Sequence, residues 1–245
     1  MSRARLMGRR ALITGGTRGL GRAIAEAFAR EGAKVAITWS RSEQDAAGTL
    51  AALGPEARGF KGSVADPAHS NAVVRALVTE WGGLDILINN AAINQVLPVA
   101  LIEDSDWDAV MDVNAKGAFL FSRAALRPMI RAKSGYILSI GSFSEGRVME
   151  APVHYAASKA ALRGLTEALA REVGRYGVVV NLLSPGLMDA GQSRGLPQHR
   201  LDEYISQSPL GRLLDPAEVA EVVVGLVAAE NRSMTGARIA ADGGI

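Results

Sequence analysis

The chain contains no cysteine among its 245 residues. That excludes a disulfide framework, a thiolate metal site and a cysteine nucleophile. Aromatics are sparse at 5%, and charge nearly balances, with 27 basic and 25 acidic residues for a net +2. The basic residues are scattered rather than clustered, so no nucleic-acid partner is expected. No run of about 18 apolar residues occurs, so no membrane span is expected. The first residues, MSRARLMGRRALITGG, lack the apolar stretch of about 7–15 residues that a secretion signal needs. Together these absences predict a cytoplasmic protein. What is present is ordinary for a soluble globular chain, 48% hydrophobic and 21% charged residues, enough for a large core. The length suits one domain over residues 1–245.

Short apolar runs alternate with amphipathic stretches. The runs are Ala11–Ile13, Val35–Trp39, Leu84–Ile88, Tyr136–Ile140, Val178–Leu183 and Arg238–Ala241. They lack period-two alternation, the pattern of strands buried on both faces of a parallel sheet. Helices are predicted over Leu20–Arg30, Glu43–Leu53, Pro67–Trp81, Trp107–Arg131, Tyr155–Tyr176 and Pro216–Ala229. Asp66-Pro67 and Asp215-Pro216 each place a capping acid before a proline at the first helical position. This alternation predicts an α/β class, one doubly wound Rossmann-type domain with a parallel sheet of about seven strands and helices on both faces. The segment Leu187–Arg212, rich in Gly, Pro, Ser, Gln and Arg, breaks the rhythm. It reads as a functional loop or lid at about 187–212.

Residues Thr14 to Gly21 read TGGTRGLG, after the first strand and at the opening of the first helix. Gly15, Gly19 and Gly21 would let the backbone approach a pyrophosphate, and the helix N-terminus would supply N–H groups and positive dipole. The tyrosine–lysine spacing Tyr155–Lys159 puts both side chains on one helix face, about 6 Å apart along the axis. A neighbouring ammonium stabilises phenolate, so it brings a tyrosine toward working pH as an acid or base. Taken alone, such a spacing is often just a surface pair.

The loop resembles the TGxxxGxG signature of the short-chain dehydrogenase/reductase family, and other marks appear in that family's order. Asn89-Asn90-Ala91-Ala92 resembles its NNAG; Asn114 sits in DVNAKG; Ser142 lies thirteen residues before Tyr155; Pro185-Gly186 follows the sixth strand; Asp242-Gly243-Gly244 ends the chain. The resemblance covers residues 8 to 245 and is greatest to bacterial 3-oxoacyl-acyl-carrier-protein reductases. It implies catalysis by Asn114, Ser142, Tyr155 and Lys159. Ser142 would bond the substrate carbonyl, Lys159 the nicotinamide ribose, and Asn114 a water of the proton relay. Ser139 and Ser144 compete for the serine role, but spacing favours Ser142. Cofactor contacts are implied for Gly15, Thr17, Arg18, Gly19, Leu20, Gly21, Ser40, Arg41, Ser63, Val64, Asn90, Ala91, Tyr155, Lys159, Pro185 and Gly186. An NAD-preferring fold carries an acid after the second strand. Here Trp39, Ser40 and Arg41 stand there, and with Arg18 they favour NADP(H), because guanidinium groups pair with a 2′-phosphate.

Three positions depart from the family. Ser63-Val64 stands in place of an Asp-Val pair, with Asp66 committed to a helix cap; Ala190 replaces a threonine; Ala92 replaces a glycine. Substrate contacts are expected from Ser142, Arg147, Met149 and His154, with Glu150 nearby; His199 reads as a polar loop residue, and no metal site is expected. The resemblance implies reduction of a ketone, with a 3-oxoacyl thioester on an acyl carrier protein, of fatty-acid or polyketide type, as the leading substrate. Lys133, Arg131 and Arg175, with Tyr176 at the second position, are candidates for carrier docking at the site mouth. Other readings are an NAD(P)-dependent alcohol dehydrogenase acting on a small alcohol, sugar or polyol, and a non-catalytic cofactor-binding regulator. The small residues Ala156, Ala157, Ala160, Ala161 and Gly164 suit close helix packing, either against the chain's own sheet or in the homotetramer that the resemblance implies.

Overall fold

Ala11, Leu12 and Ile13 are wholly buried because their strand, β1 (Arg10–Ile13), lies in the middle of a sheet covered on both faces. The computed structural model describes residues 4–145, 151–228 and 232–245. After β1 come α1 (Gly19–Arg30), β2 (Lys34–Trp39), α2 (Glu43–Leu53), β3 (Arg58–Lys61), α3 (Pro67–Trp81) and β4 (Ile86–Asn89). Next are α4 (Asp104–Met111), α5 (Gly117–Ala132), β5 (Gly135–Ile140), α6 (Val153–Val173), β6 (Val178–Pro185), α7 (Gln198–Gln207), α8 (Pro216–Val227) and β7 (Arg238–Ala241). The seven strands pair in parallel in the order β3-β2-β1-β4-β5-β6-β7. This is the predicted doubly wound Rossmann-type sheet.

Successive side chains of each strand point to opposite faces, and here both faces are apolar. Ile86 and Ile88 pack with Ile24 and Phe28 of α1 and Val223 and Val224 of α8. Leu87 packs on the other face with Val74 and Leu77 of α3 and Phe121 and Ala125 of α5. That explains the unbroken apolar runs. The expected caps form: Asp66 accepts from the Ala68 N–H at 2.8 Å, and Asp215 accepts from the Ala217 N–H at 2.8 Å. Among the described residues no helix is long and apolar enough to cross a membrane.

Three elements differ from the sequence reading. β3 gives no apolar run: it is an edge strand whose residues alternate between half-buried and exposed. The helix expected over Trp107–Arg131 begins earlier, at α4, and passes into α5 through a π-helical turn, Asp112–Lys116. The segment at about 187–212 is no plain loop, because α7 lies within it. Tyr204 of α7 is buried at its base.

β1 and β4 are neighbours, whereas β2 and β3 extend from the other side of β1. The loops after β1 and β4 therefore diverge and open a crevice at the C-terminal ends of the strands, where ligands of such sheets bind.

Candidate active site

A cleft of about 1190 Å³ occupies that crevice. Its first wall is the loop of Gly15–Gly21. Gly15 has φ of +65°, and a Cβ there would lie 2.9 Å from Ala91 Cα. A Cβ on Gly21 would collide with the Gly15 carbonyl oxygen. Both positions thus require glycine. Asn90 braces the loop from behind, donating through Nδ2 to the carbonyls of Thr14 and Gly15 at 2.9 Å each. Thr14 Oγ1 accepts from the N–H groups of Asn90 and Ala91 at 3.0 and 3.1 Å. Thr49 of α2 donates to the Thr17 carbonyl at 3.1 Å. At the N-terminus of α1, Arg18 makes no side-chain cap, and the first turn carries no acid. The orphan N–H groups there suit an anion.

The cleft continues past Trp39 at the end of β2, Ser40 and Arg41 after it, and Ser63 and Val64 after β3. Arg18, Ser40 and Arg41 are exposed along it. Neither Arg18 nor Arg41 forms an ion pair among the described residues. Two free guanidinium groups at one end of a cleft, with a phosphate-type cradle at its middle, fit an extended polyanion. Val64 turns its side chain against Gly117. Ser63 Oγ accepts from the Ala65 N–H at 3.2 Å.

The inner end holds the titratable groups. Ser142 follows β5, while Tyr155 and Lys159 face the cleft from α6. Lys159 is 3% exposed, and its Nζ donates to the Ile140 carbonyl at 2.7 Å. The same Nζ stands 5.6 Å from the centre of the Tyr155 ring. Ser142 Oγ accepts from Ser144, from its hydroxyl at 2.9 Å and its N–H at 3.2 Å. Ser144 therefore supports Ser142. Ser139 is packed in the strand, where it accepts from Asn89 Nδ2 at 3.4 Å. Asn114, 2% exposed, lies behind the cleft on the π-helical turn. Its Nδ2 donates to Ser158 Oγ at 3.0 Å, and Ser158 donates in turn to the Tyr155 carbonyl at 2.7 Å. Such a set can deliver a proton to an oxygen held between Ser142 and Tyr155, with a buried ammonium stabilising the phenolate left behind.

Pro185 at the end of β6 and Gly186 just past it line the cleft. A Cβ on Gly186 would strike the Tyr204 hydroxyl. That hydroxyl accepts from the Leu187 N–H at 2.8 Å and donates to the Asp242 carbonyl at 3.2 Å. Burial pushes Tyr204 above the ordinary tyrosine pKa. Tyr204 was missed in the sequence, although Leu201, Tyr204 and Ile205 have helical i, i+3, i+4 spacing. Ala190 lines the cleft and offers only a methyl group.

Two expectations are corrected. His154 does not line the cleft: it is wholly buried, and its Nε2 lies 3.3 Å from Gln95 Oε1. On a helix, adjacent residues point about 100° apart, so with Tyr155 in the cleft His154 faces away from it. Lys133 and Arg175 are not at the mouth either. They precede β5 and β6, at the N-terminal ends of the strands and so opposite the cleft, because all strands run in parallel. Arg147, Met149 and Glu150 lie outside the described residues. His199 is exposed, as a polar residue of α7.

The family model described as "Enoyl-(Acyl carrier protein) reductase" matches residues 15–245. The 3-oxoacyl-acyl-carrier-protein reductase FabG of Vibrio cholerae is 36% identical over 240 residues, covering 98% of each chain. The 3-alpha-(or 20-beta)-hydroxysteroid dehydrogenase of Mycobacterium tuberculosis is 40% identical over 244 residues, covering 98% of this chain and 90% of that one. The crystal structure of a short chain dehydrogenase from Burkholderia cenocepacia in complex with NADP superposes with a TM-score of 0.91, at 37% identity and 98% coverage of both chains. The chain therefore belongs to the short-chain dehydrogenase/reductase family of oxidoreductases.

Proposed function

We propose that this protein is an NADP(H)-dependent ketone reductase acting on a 3-oxoacyl thioester carried by an acyl carrier protein. The observation that carries the reading is one cleft with Ser142, Tyr155 and Lys159 at its inner end and, at its outer end, Arg18 and Arg41, which form no ion pair among the described residues. Arg18 and Arg41 would hold the 2′-phosphate, the loop of Gly15–Gly21 the pyrophosphate, and Lys159 the nicotinamide ribose. Bound there, the cofactor supplies a hydride to the carbonyl carbon. Ser142 donates a hydrogen bond to the carbonyl oxygen and fixes its place. Tyr155 Oη gives that oxygen its proton. Lys159 stabilises the phenolate, and Asn114, whose carboxamide is engaged by Ile93 and Ser158 behind the cleft rather than by a relay water, braces the first turns of α6. The same groups run in reverse for alcohol oxidation.

The substrate side of the mouth is apolar: Val96 is 60% exposed, Val99 68% and Val153 46%. That suits an acyl chain and disfavours a sugar or polyol. It also suits a second reading, a steroid or similar apolar alcohol, favoured by the hydroxysteroid dehydrogenase relative. Carrier docking through Lys133 and Arg175 would require the mouth of another subunit, given their place on this one. We assign a homotetramer to the protein. Ala160, Ala161 and Gly164 are exposed on α6 while Leu162 and Thr166 face inward, so the small-residue stripe is open to a second copy. Light scattering tests this assignment, and a monomer would remove it.

The deciding experiment follows NADPH absorbance over a panel holding an acetoacetyl thioester, a keto-steroid, a small ketone and a sugar. Turnover of the thioester supports the first reading, and preference for the keto-steroid supports the second. NADPH binding without turnover of any would point to a regulator.

A further inference from the structure

His154 stands one residue before Tyr155 and takes no part in the cleft. Its Nε2 meets Gln95 Oε1 at 3.3 Å, and Gln95 Nε2 donates to Asp106 Oδ1 at 2.7 Å. Asp106 Oδ2 accepts from the Glu103 N–H at 3.2 Å, at the start of α4. Three separate pieces of chain are thereby tied: the first turn of α6, the segment after β4, and the first turn of α4.

The carboxylate end sets the direction of every bond. Asp106 can only accept, so Gln95 turns its amide N–H toward it. Gln95 is then left with its carbonyl oxygen facing His154, and His154 must present a proton on Nε2. Histidine is needed here for reach and for a donor, in a place with no exposed surface.

Each end of this tether adjoins a working part of the cleft. Gln95 runs directly into Val96–Val99, the apolar mouth, and His154 runs directly into Tyr155. We infer that His154 is a positioning residue: through Gln95 it holds the mouth wall in register with the Tyr155 hydroxyl, and so sets where the substrate carbonyl lies. The inference deepens the ketone-reductase reading, and its substrate half rests on that reading.

The test uses His154→Leu, His154→Gln and Gln95→Leu in the full chain. Glutamine carries an amide N–H at about the reach of Nε2; leucine fills space and donates nothing. With acetoacetyl-N-acetylcysteamine as the probe, His154→Leu should raise its KM about tenfold, the worth of one buried hydrogen bond. NADPH affinity, read by fluorescence, should stay within about twofold. His154→Gln should recover most of the loss, and adding Gln95→Leu to His154→Leu should add little, since both break one contact. Simple destabilisation would instead lower the melting temperature and shift KM, kcat and NADPH affinity together, without rescue by glutamine.

Two readouts need no substrate. Nitrogen NMR of the imidazoles should show His154 protonated on Nε2 in the wild type. Amide exchange over Val96–Val99 should quicken in His154→Leu and return toward wild type in His154→Gln. A proton on Nδ1 alone, or exchange unmoved by His154→Leu, overturns the tether whatever the kinetics. A wild type that binds NADPH but reduces no ketone overturns the ketone reading and the substrate half of this inference; Nε2 protonation and quickened exchange would then still uphold the tether.

Discussion

Asn114 and Ile93 hold one another by two hydrogen bonds: Asn114 Oδ1 accepts from the Ile93 N–H at 2.8 Å, and Asn114 Nδ2 donates to the Ile93 carbonyl at 2.9 Å. A third bond, to Ser158, links the same carboxamide to the first turns of α6. The π-helical turn explains why the residue can do this. It adds a residue to the helical turn at that point, letting one amide meet both backbone groups of a crossing segment.

Asn114→Leu keeps the volume and removes all three bonds. Each buried group left unpaired costs about 1–3 kcal/mol. The sum predicts a loss of at least about 3 kcal/mol and a fall in Tm of about 6–12 °C. Turnover should fall by more than tenfold. Calorimetry on wild type and variant checks the first part; a shift under about 1 °C would show that the clamp contributes nothing to stability.

Tyr155→Phe removes the proposed proton donor and little volume. Turnover should drop by about 10²–10⁴-fold, the usual worth of a positioned acid. NADPH affinity should stay near that of wild type, because the ring remains. A variant retaining over a tenth of wild-type kcat would place the acid elsewhere.

The buried strands were legible because both faces of β4, β5 and β6 need apolar residues, which leaves an unbroken run. β3 escaped because an edge strand buries only one side of Phe60 and its neighbours. The cleft's glycines and the Tyr155–Lys159 pair were legible because local spacing encodes them. The contact of His154 with Gln95 was not, since it joins residues 59 positions apart and depends on which way a helix faces. Asn90 shows the same limit. Its neighbours in sequence suggest a ligand contact, and it does line the cleft, but the brace its Nδ2 gives the carbonyls of Thr14 and Gly15 joins residues far apart in the chain.

Tyr204→Phe should loosen the segment over the cleft. The hydroxyl serves the Leu187 N–H and the Asp242 carbonyl, and removal leaves both without it. A loss of about 1–3 kcal/mol is expected in urea melts. KM for NADPH should rise, because Leu187 adjoins Gly186 in the cleft wall.

Asp85 gives stability a dependence on acid. Burial pushes its carboxyl up, but three hydrogen bonds from Arg10, at 2.7, 2.8 and 2.9 Å, more than offset this and hold it below the ordinary value. A carboxyl lowered on folding stabilises the protein above its unfolded pKa of about 4, and that contribution vanishes as pH falls through the folded value. Asp85→Asn should therefore cost about 1–3 kcal/mol at neutral pH. The gap between wild type and variant should begin to narrow near about pH 4 and close only below the folded value. Denaturant melts at pH 7, 5 and 3.5 measure it. A gap that stays constant across that range would detach Asp85 from the acid sensitivity.

Cofactor choice tests the outer end of the cleft. Arg41→Asp, alone or with Arg18→Ala, should move preference from NADPH toward NADH. A 2′-phosphate carries close to two negative charges, and each charge-assisted hydrogen bond to it is worth about 1.5–3 kcal/mol. Removing Arg41 deletes one such partner, and a carboxylate in its place repels the phosphate. The same carboxylate offers the acceptor that a 2′-hydroxyl would use. The combined swing is several kcal/mol, at least about 100-fold in the ratio of kcat/KM for the two cofactors. Trp39 limits how far the NADH side can gain, since it lines the cleft beside Ser40 where an NAD-preferring fold carries an acid. Most of the change should therefore be loss with NADPH. Asp45, at the start of α2, already lines this end of the cleft, so Arg41→Asp sets two carboxylates near the phosphate, with only Arg18 to offset them in the single variant and neither arginine in the double. The double variant should accordingly discriminate against NADPH more strongly than the single one. A wild type that already prefers NADH, or a ratio that does not move in either variant, would take the 2′-phosphate away from this pair of arginines.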